Sequence, residues 1–458
     1  MKNALIVLTL AALLCAVPAS AQVDFTRYVA LGDSLTAGYA SGGLVQYYQD
    51  RSYPALLAQQ AGAPVFEMPT VSEPGLAPLL ELLALVPAPV IQPKPGAPGL
   101  PTNATYPMPY NNLGVPGSNT YNLVTTTGDI QNLLAGNTDN VMHDLILRIP
   151  QVPDPGTGQL IPFTALTQAI VQDPTFVTLW IGNNDILGAV IAGTPIDGIT
   201  MTPVDVFQQL YGQALGALAT MTSADIVAIN LPYATSIPFV TTVSNSIDIP
   251  GMGTFQLMGE DGPIEDDDYI TLAASSLIAQ GYGLPGGPPL PENLNFATGA
   301  YGVILRAEEI DVINERTAAF NAIIAQTAAN FGVPVLDMNS KFNDIASGDR
   351  WILGGIELSA DFLVGGIFSY DGVHPQAIGY ALVTTELIRT INSAFAANIP
   401  QVNMMPILYG GDAVTLPVGV NAKDVVFSDA AWGALKEAFP INLPQPEGLR
   451  NETASAVD

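Results

Sequence analysis

Four short apolar runs, at residues 27–31, 176–181, 225–230 and 333–336, recur along this chain with helical patterning between them. That alternation leaves few folds open. Strands joined through long helical crossovers pair in parallel, and a parallel sheet must be covered on both faces. The sequence therefore predicts an α/β chain with three layers, helix on sheet on helix. Three helices follow from apolar spacing and from the residues that stop it. One covers 53–61, entered at Ser52 and ended by Gly62, with Tyr53, Leu56, Leu57 and Ala61 on one face. A second covers about 311–331, where Ile313, Thr317, Phe320, Ile324, Ala328 and Phe331 form a stripe ending at Gly332. A third opens just after Pro375 and runs over roughly 376–396.

Three stretches stand outside this plan. Residues 63–110 are proline-rich around a leucine-heavy segment, Leu76 to Val86. That segment is expected as a short helix packed on the core rather than a mobile lid, because buried apolar stripes are the common case. Residues 235–300 carry the acidic run Glu260 to Asp268 and the turn-rich Gly283 to Pro291. The acidic run lacks the spaced Asp-x-Asp-x-Asp-Gly of a calcium loop, so it reads as a solvated loop. Residues 399–458 form a Pro/Gly-rich C-terminal extension.

The N-terminus reads as a secretory signal over residues 1–21. Lys2 supplies the positive start, Ala4 to Val17 the apolar core, and Ala19-Ser20-Ala21 a small-residue cleavage site before Gln22. The apolar core is too short to span a bilayer. A lipid anchor at Cys15, the chain's only cysteine, is disfavoured because Leu14 stands where such sites need a small residue. The expectation is a secreted protein, extracellular or periplasmic, with no disulfide and no stable membrane span. A formal net charge of −28 repels phosphate backbones and anionic lipid surfaces, which argues against nucleic-acid binding.

The chemistry starts where the first apolar run ends, at Gly32-Asp33-Ser34-Leu35. A serine at the carboxyl end of a buried strand sits on rigid scaffold at the rim of the sheet. Its hydroxyl is a poor nucleophile until a base removes the proton, and the chain has only two histidines, His143 and His374. His374 lies in Asp371-Gly372-Val373-His374-Pro375, where Asp371 is close enough to accept the imidazole Nδ1–H and fix the tautomer. His143, in Val141-Met142-His143-Asp144, has no comparable context and reads as structural or surface. Attack on an ester builds negative charge on the carbonyl oxygen, so donors must already face it. Candidates are the Ser34 N–H, the N–H of Gly114 in the turn Asn112 to Gly117, and the Asn184 side chain in Gly182-Asn183-Asn184-Asp185. Within that last motif Asn183 reads as the variable position.

Taken in order, these four motifs resemble the GDSL, or SGNH, hydrolase family over roughly residues 24–396. The letters fall on Ser34, Gly114, Asn184 and His374, with Asp371 completing the triad. The resemblance implies a flavodoxin-like three-layer α/β/α fold with about five parallel strands, and hydrolysis of carboxylic esters without a cofactor or metal. The expected organisation is a hydrolase domain at 22–398 with insertions near 63–110 and 235–300, which the resemblance does not cover. No Gly-x-Ser-x-Gly elbow and no His-Glu-x-x-His cluster occurs in the chain. The reading is a secreted esterase or lipase acting on small-molecule or lipid esters. Its alternatives are deacetylation of polysaccharide at the same site, or a binding protein that keeps only the fold.

Overall fold

Tyr28–Gly32 forms β1, one strand in from the edge of the main sheet, and all five of its residues are buried. A strand enclosed on both faces cannot alternate polar and apolar side chains, which is why this one reads as a continuous apolar run. The other strands of its sheet are β2 (Asn112–Gly114), β3 (Phe176–Trp180), β4 (Asp225–Ile229) and β5 (Val335–Leu336). The order across the sheet is β5-β4-β3-β1-β2, and every pairing is parallel. The register places Ala30 beside Asn112 and beside Thr178. The computed structural model describes residues 23–441 apart from 108, 138, 155, 250, 349–350, 354, 411–413 and 415. Residues 1–21, including Cys15, therefore lie outside the described residues.

Four of the five strands match the apolar runs within a residue or two. The exception is β2, whose residues were expected as a turn. It is an edge strand of three residues, and Asn-Leu-Gly carries no apolar run by which a strand could be read.

Helices surround the sheet in packed pairs. The helix α2 (Tyr53–Ala61) starts with Pro54 in its first turn and ends at Gly62, which takes the left-handed conformation (φ 68°) that glycine adopts without strain. It packs on α6 (Ala377–Phe395), and α4 (Val204–Met221) packs on α5 (Ala307–Asn330). Between that second pair the Phe207 and Phe320 rings stack with centroids 3.8 Å apart, both fully buried. Burying one such ring contributes about 1.5–3 kcal/mol. The helix α5 begins four residues before its expected start. The Glu309 side chain accepts the Arg306 N–H at 2.9 Å, and Asp268 accepts the Ala307 N–H at 3.0 Å. These partners settle the first-turn amides that would otherwise be orphaned.

The additions depart further from expectation. Leu76–Val86 is not a helix: Leu80–Ala84 is a strand, paired antiparallel with Val90–Pro93. Pro78 and Pro87 bracket the leucines and deny a helix room, while the pairing buries Leu80. Val426–Phe427, from the C-terminal extension, adds a third strand parallel to Val90–Pro93. The acidic run is not wholly solvated either. Asp268 is buried, and with Glu292 it clamps Arg306, both contacts being 2.6 Å.

Candidate active site

The strand order reverses beside β1, with β2 on one side and β3, β4 and β5 following on the other. In an open α/β sheet, the crevice beyond the carboxyl ends of strands at such a switch point is where ligands bind. Ser34 stands just after β1, and Asn184 opens the helix α3 (Asn184–Ala192) just after β3. The two motifs thus flank that crevice from adjacent strands.

Ser34 heads a single helical turn, α1 (Ser34–Ala37). Asp33 caps it, accepting the Leu35 N–H at 3.0 Å, and Gly38 at φ 79° turns the chain away. The Ser34 N–H has no hydrogen-bond partner among the described residues. Its hydroxyl lies 2.9 Å from Nε2 of His374, although 340 positions separate them in sequence. On the far side of the ring, Nδ1 of His374 lies 2.9 Å from Oδ2 of Asp371. Ser34, His374 and Asp371 therefore form one hydrogen-bonded chain. All three are buried, at 3 %, 1 % and 0 % exposure.

The loop carrying Asp371 and His374 is fixed from within. The Ser369 N–H donates to the His374 carbonyl at 2.8 Å, and Gly372 at φ 69° makes the bend. Any side chain at Gly372 would meet Leu272 Cδ1 at 2.7 Å. Oδ1 of Asp371 accepts the N–H groups of Val373 and His374 and the Ser369 hydroxyl, at 2.9, 2.8 and 3.1 Å. Oδ2 accepts the Gly42 N–H at 2.9 Å as well as the imidazole. Burial alone would raise the Asp371 pKa, but His374 and these donors outweigh it and hold the carboxyl below its usual value. The contributions of Ser41 and Gly42 were not visible in sequence. Positive φ at both folds the chain back, so that Ser41 N–H meets Ser369 and Gly42 N–H meets Asp371. The only cue was the turn-forming triplet Ser41-Gly42-Gly43.

The expected oxyanion donors are placed unevenly. Gly114 sits on β2 beside Gly32, and its N–H is occupied, donating to Asn112 Oδ1 at 2.9 Å. What requires glycine there is packing: a Cβ would lie 2.5 Å from the Ala37 backbone nitrogen. Three residues on, Gly117 (φ 80°) has an N–H with no hydrogen-bond partner among the described residues. The Asn184 side chain donates to the Ser118 carbonyl at 2.8 Å, which leaves its second amide hydrogen unassigned. Asn183 is no bystander, because its amide donates to Asp33 Oδ2 at 2.9 Å. Asp185 accepts both the N–H and the hydroxyl of Thr120, tying the Gly117–Thr120 loop to α3. Burial pushes the carboxyls of Asp33 and Asp185 up to about 6.

His143 lies outside the triad but close behind this loop. Its Nε2 is 3.1 Å from the Ser118 hydroxyl, and burial pushes its pKa down to about 4. It is a structural, neutral imidazole rather than a surface one. Among the described residues, no three His, Cys, Asp or Glu side chains come together as a metal site. No helix among them is long and apolar enough to cross a membrane.

The fold is a three-layer α/β/α arrangement with a hydrogen-bonded Ser-His-Asp chain at the switch point of its five-stranded parallel sheet. The family model for GDSL-like lipases and acylhydrolases matches residues 28–387, and the chain belongs to that family. No curated protein matches it. Among solved structures it is similar to a lipase/acylhydrolase from Enterococcus faecalis, at 12% identity over 82% of this chain and 98% of the other, with a TM-score of 0.30. It is also similar to phospholipase A1 from Streptomyces albidoflavus, at 14% identity over 79% and 98%, with a TM-score of 0.32. A mutant acetyl-xylooligosaccharide esterase from Geobacillus matches at 12% identity over 80% and 93%, with a TM-score of 0.33. Likenesses this distant carry no argument about substrate.

Proposed function

We propose that this GDSL-family hydrolase is an exported serine esterase acting on carboxylic acyl esters. One observation carries the reading: the continuous chain from Ser34 Oγ to His374 Nε2 and from His374 Nδ1 to Asp371 Oδ2, each step 2.9 Å. Oγ attacks the ester carbonyl carbon while Nε2 takes its proton, and Asp371 holds the imidazole in the tautomer that can do so. The oxyanion is met by the Ser34 N–H and the Asn184 amide, with the unpartnered Gly117 N–H in place of the occupied Gly114. Collapse expels the alcohol, which takes the proton from Nε2. Water then attacks the acyl-serine by the same route in reverse and releases the acid. No step calls for a cofactor. The signal at residues 1–21 puts the reaction outside the cytoplasm, so the mature protein should begin at Gln22 by mass spectrometry.

The test is a fluorophosphonate, which reacts only with an activated serine. Labelling should fall on Ser34 alone, and Ser34→Ala should lose turnover of an aryl acetate by about 10⁶-fold while melting normally. Labelling at another serine, or an active Ser34→Ala protein, overturns the proposal.

A further inference from the structure

The three additions that look separate in sequence meet over the site. The hairpin of the first insertion pairs with Val426–Phe427 of the C-terminal extension, matching Val90 with Val426 and Ile91 with Phe427. The Phe427 N–H donates to the Ser275 hydroxyl of the second insertion at 2.8 Å. From there α7 (Asp429–Ala438), capped by Ser428, carries the chain back toward the triad. Its Trp432 packs against Phe239 and Tyr301, with ring centroids 6.0 and 5.8 Å apart.

The helix α7 delivers Phe439 onto the catalytic imidazole. The two rings stack at 5.5 Å with an interplanar angle of 18°, and Tyr39 completes a cluster of three rings, 4.9 Å from His374 and 6.4 Å from Phe439. The Ala438 carbonyl oxygen lies 2.9 Å from where a Cβ on Gly117 would stand. One turn of the extension thus covers both the base and the loop of the unpartnered amide. Such a cover meets a plain requirement of the reaction. The leaving alcohol has to reach Nε2 of His374, and in this arrangement Ser34 is 3 % exposed.

The helix α7 is anchored by one short strand and by its inner face, where Ala431 and Leu435 are fully buried. Its leading strand is tied to the hairpin by the pairing with Val90 and Ile91, by the Val426 N–H to Pro89 and by the Ser428 N–H to Ile91. Within α7 itself the main-chain bonds are internal, so the helix is held by side-chain packing. Lifting the helix breaks that short ladder and re-exposes Leu435, at about 1.5–3 kcal/mol for the side chain.

We propose that residues 429–441 are a gate over the ester site with Phe439 as its plug, and that Phe439 sets which esters reach Ser34. The proposal rests on the reading of Ser34 as nucleophile. Closed, the site admits only small acyl and alcohol groups; larger esters react when the gate lifts.

Two fluorophosphonates test it, one with small substituents and one with a long alkyl chain, each timed for labelling at Ser34 in the full-length protein. The readout is the ratio of long-chain to small-probe rates, which a general loss of folding does not move. Phe439→Ala should raise that ratio about tenfold, as expected where a gating step limits access. Phe439→Leu keeps an apolar side chain beside His374 but removes the stacked ring, and it should raise the ratio by a smaller amount. If both variants label at Ser34 with the wild-type ratio, the gate is wrong and the esterase reading stands. If neither probe labels Ser34 in any of the three folded proteins, the esterase reading falls and the gate with it.

Discussion

Asp371→Asn separates orientation of the base from every other role at this site. Oδ1 of Asp371 has three donors and Oδ2 has two, the His374 Nδ1–H and the Gly42 N–H. An asparagine keeps its oxygen on the three-donor side, because its amide there would face three donors. The NH2 then occupies the Oδ2 position and points at the imidazole. Nδ1 can meet it only as an acceptor, so the proton moves to Nε2, opposite the Ser34 hydroxyl. In that tautomer His374 cannot take the hydroxyl proton, and kcat should fall by about 10⁴-fold, or ~5 kcal/mol. The Gly42 N–H also loses its acceptor, and a buried donor left unpaired costs about 1–3 kcal/mol of stability. The assay pairs steady-state turnover of a soluble aryl ester with thermal melts. A folded Asp371→Asn protein within tenfold of wild-type kcat would refute the argument that Asp371 selects the tautomer. A pH signature accompanies it. The carboxyl is held below its ordinary value of 3.8, so its ionised form adds stability above that pH, and the stability is lost as pH falls through the folded value. Asp371→Asn should lack that acid-side loss in melts taken at decreasing pH.

Asn184→Ala should lower kcat by about 10²–10³-fold with KM little changed, since its amide meets the oxygen once it is charged; equal losses of kcat/KM through KM alone would count against it. Asn183→Ala should act differently, lowering the melting temperature by freeing Asp33, and a normal melt would show that the 2.9 Å bond adds nothing. Gly114→Ala forces a Cβ against the Ala37 backbone and should cost about 1–3 kcal/mol in denaturant melts, whereas unchanged stability would mean that β2 and α1 separate freely. His143 is held neutral, with its pKa down from 6.5 to about 4, so the unfolded chain binds the extra proton between those values. Stability should therefore fall as pH drops from about 6.5 to about 4, by up to ~3 kcal/mol from this group. His143→Gln should flatten that slope, and an unchanged slope would remove His143 as its cause.

What the sequence determined by itself is what near neighbours decide. The apolar runs that became β1, β3, β4 and β5 are buried on both faces, so their composition alone marks them. The helix α2 is bounded by Pro54 and Gly62, and α6 follows directly on Pro375, because backbone sterics act over a residue or two. Asp371 and His374 were legible as a pair because three residues and a glycine bend are enough to bring them together. Wherever a partner lies far along the chain, the tertiary structure decided. The short β2 is a strand only because β1 runs beside it, and the Gly114 amide turns to Asn112 rather than to the site. Leu76–Val86 reads as helical until a strand from residues 90–93 pairs with it. Ser34 meets His374 across 340 positions, and Phe439 reaches the same ring from the other end of the C-terminal extension. No local pattern encodes such meetings, since each is fixed by sheet order and by which surfaces the packed core leaves adjacent.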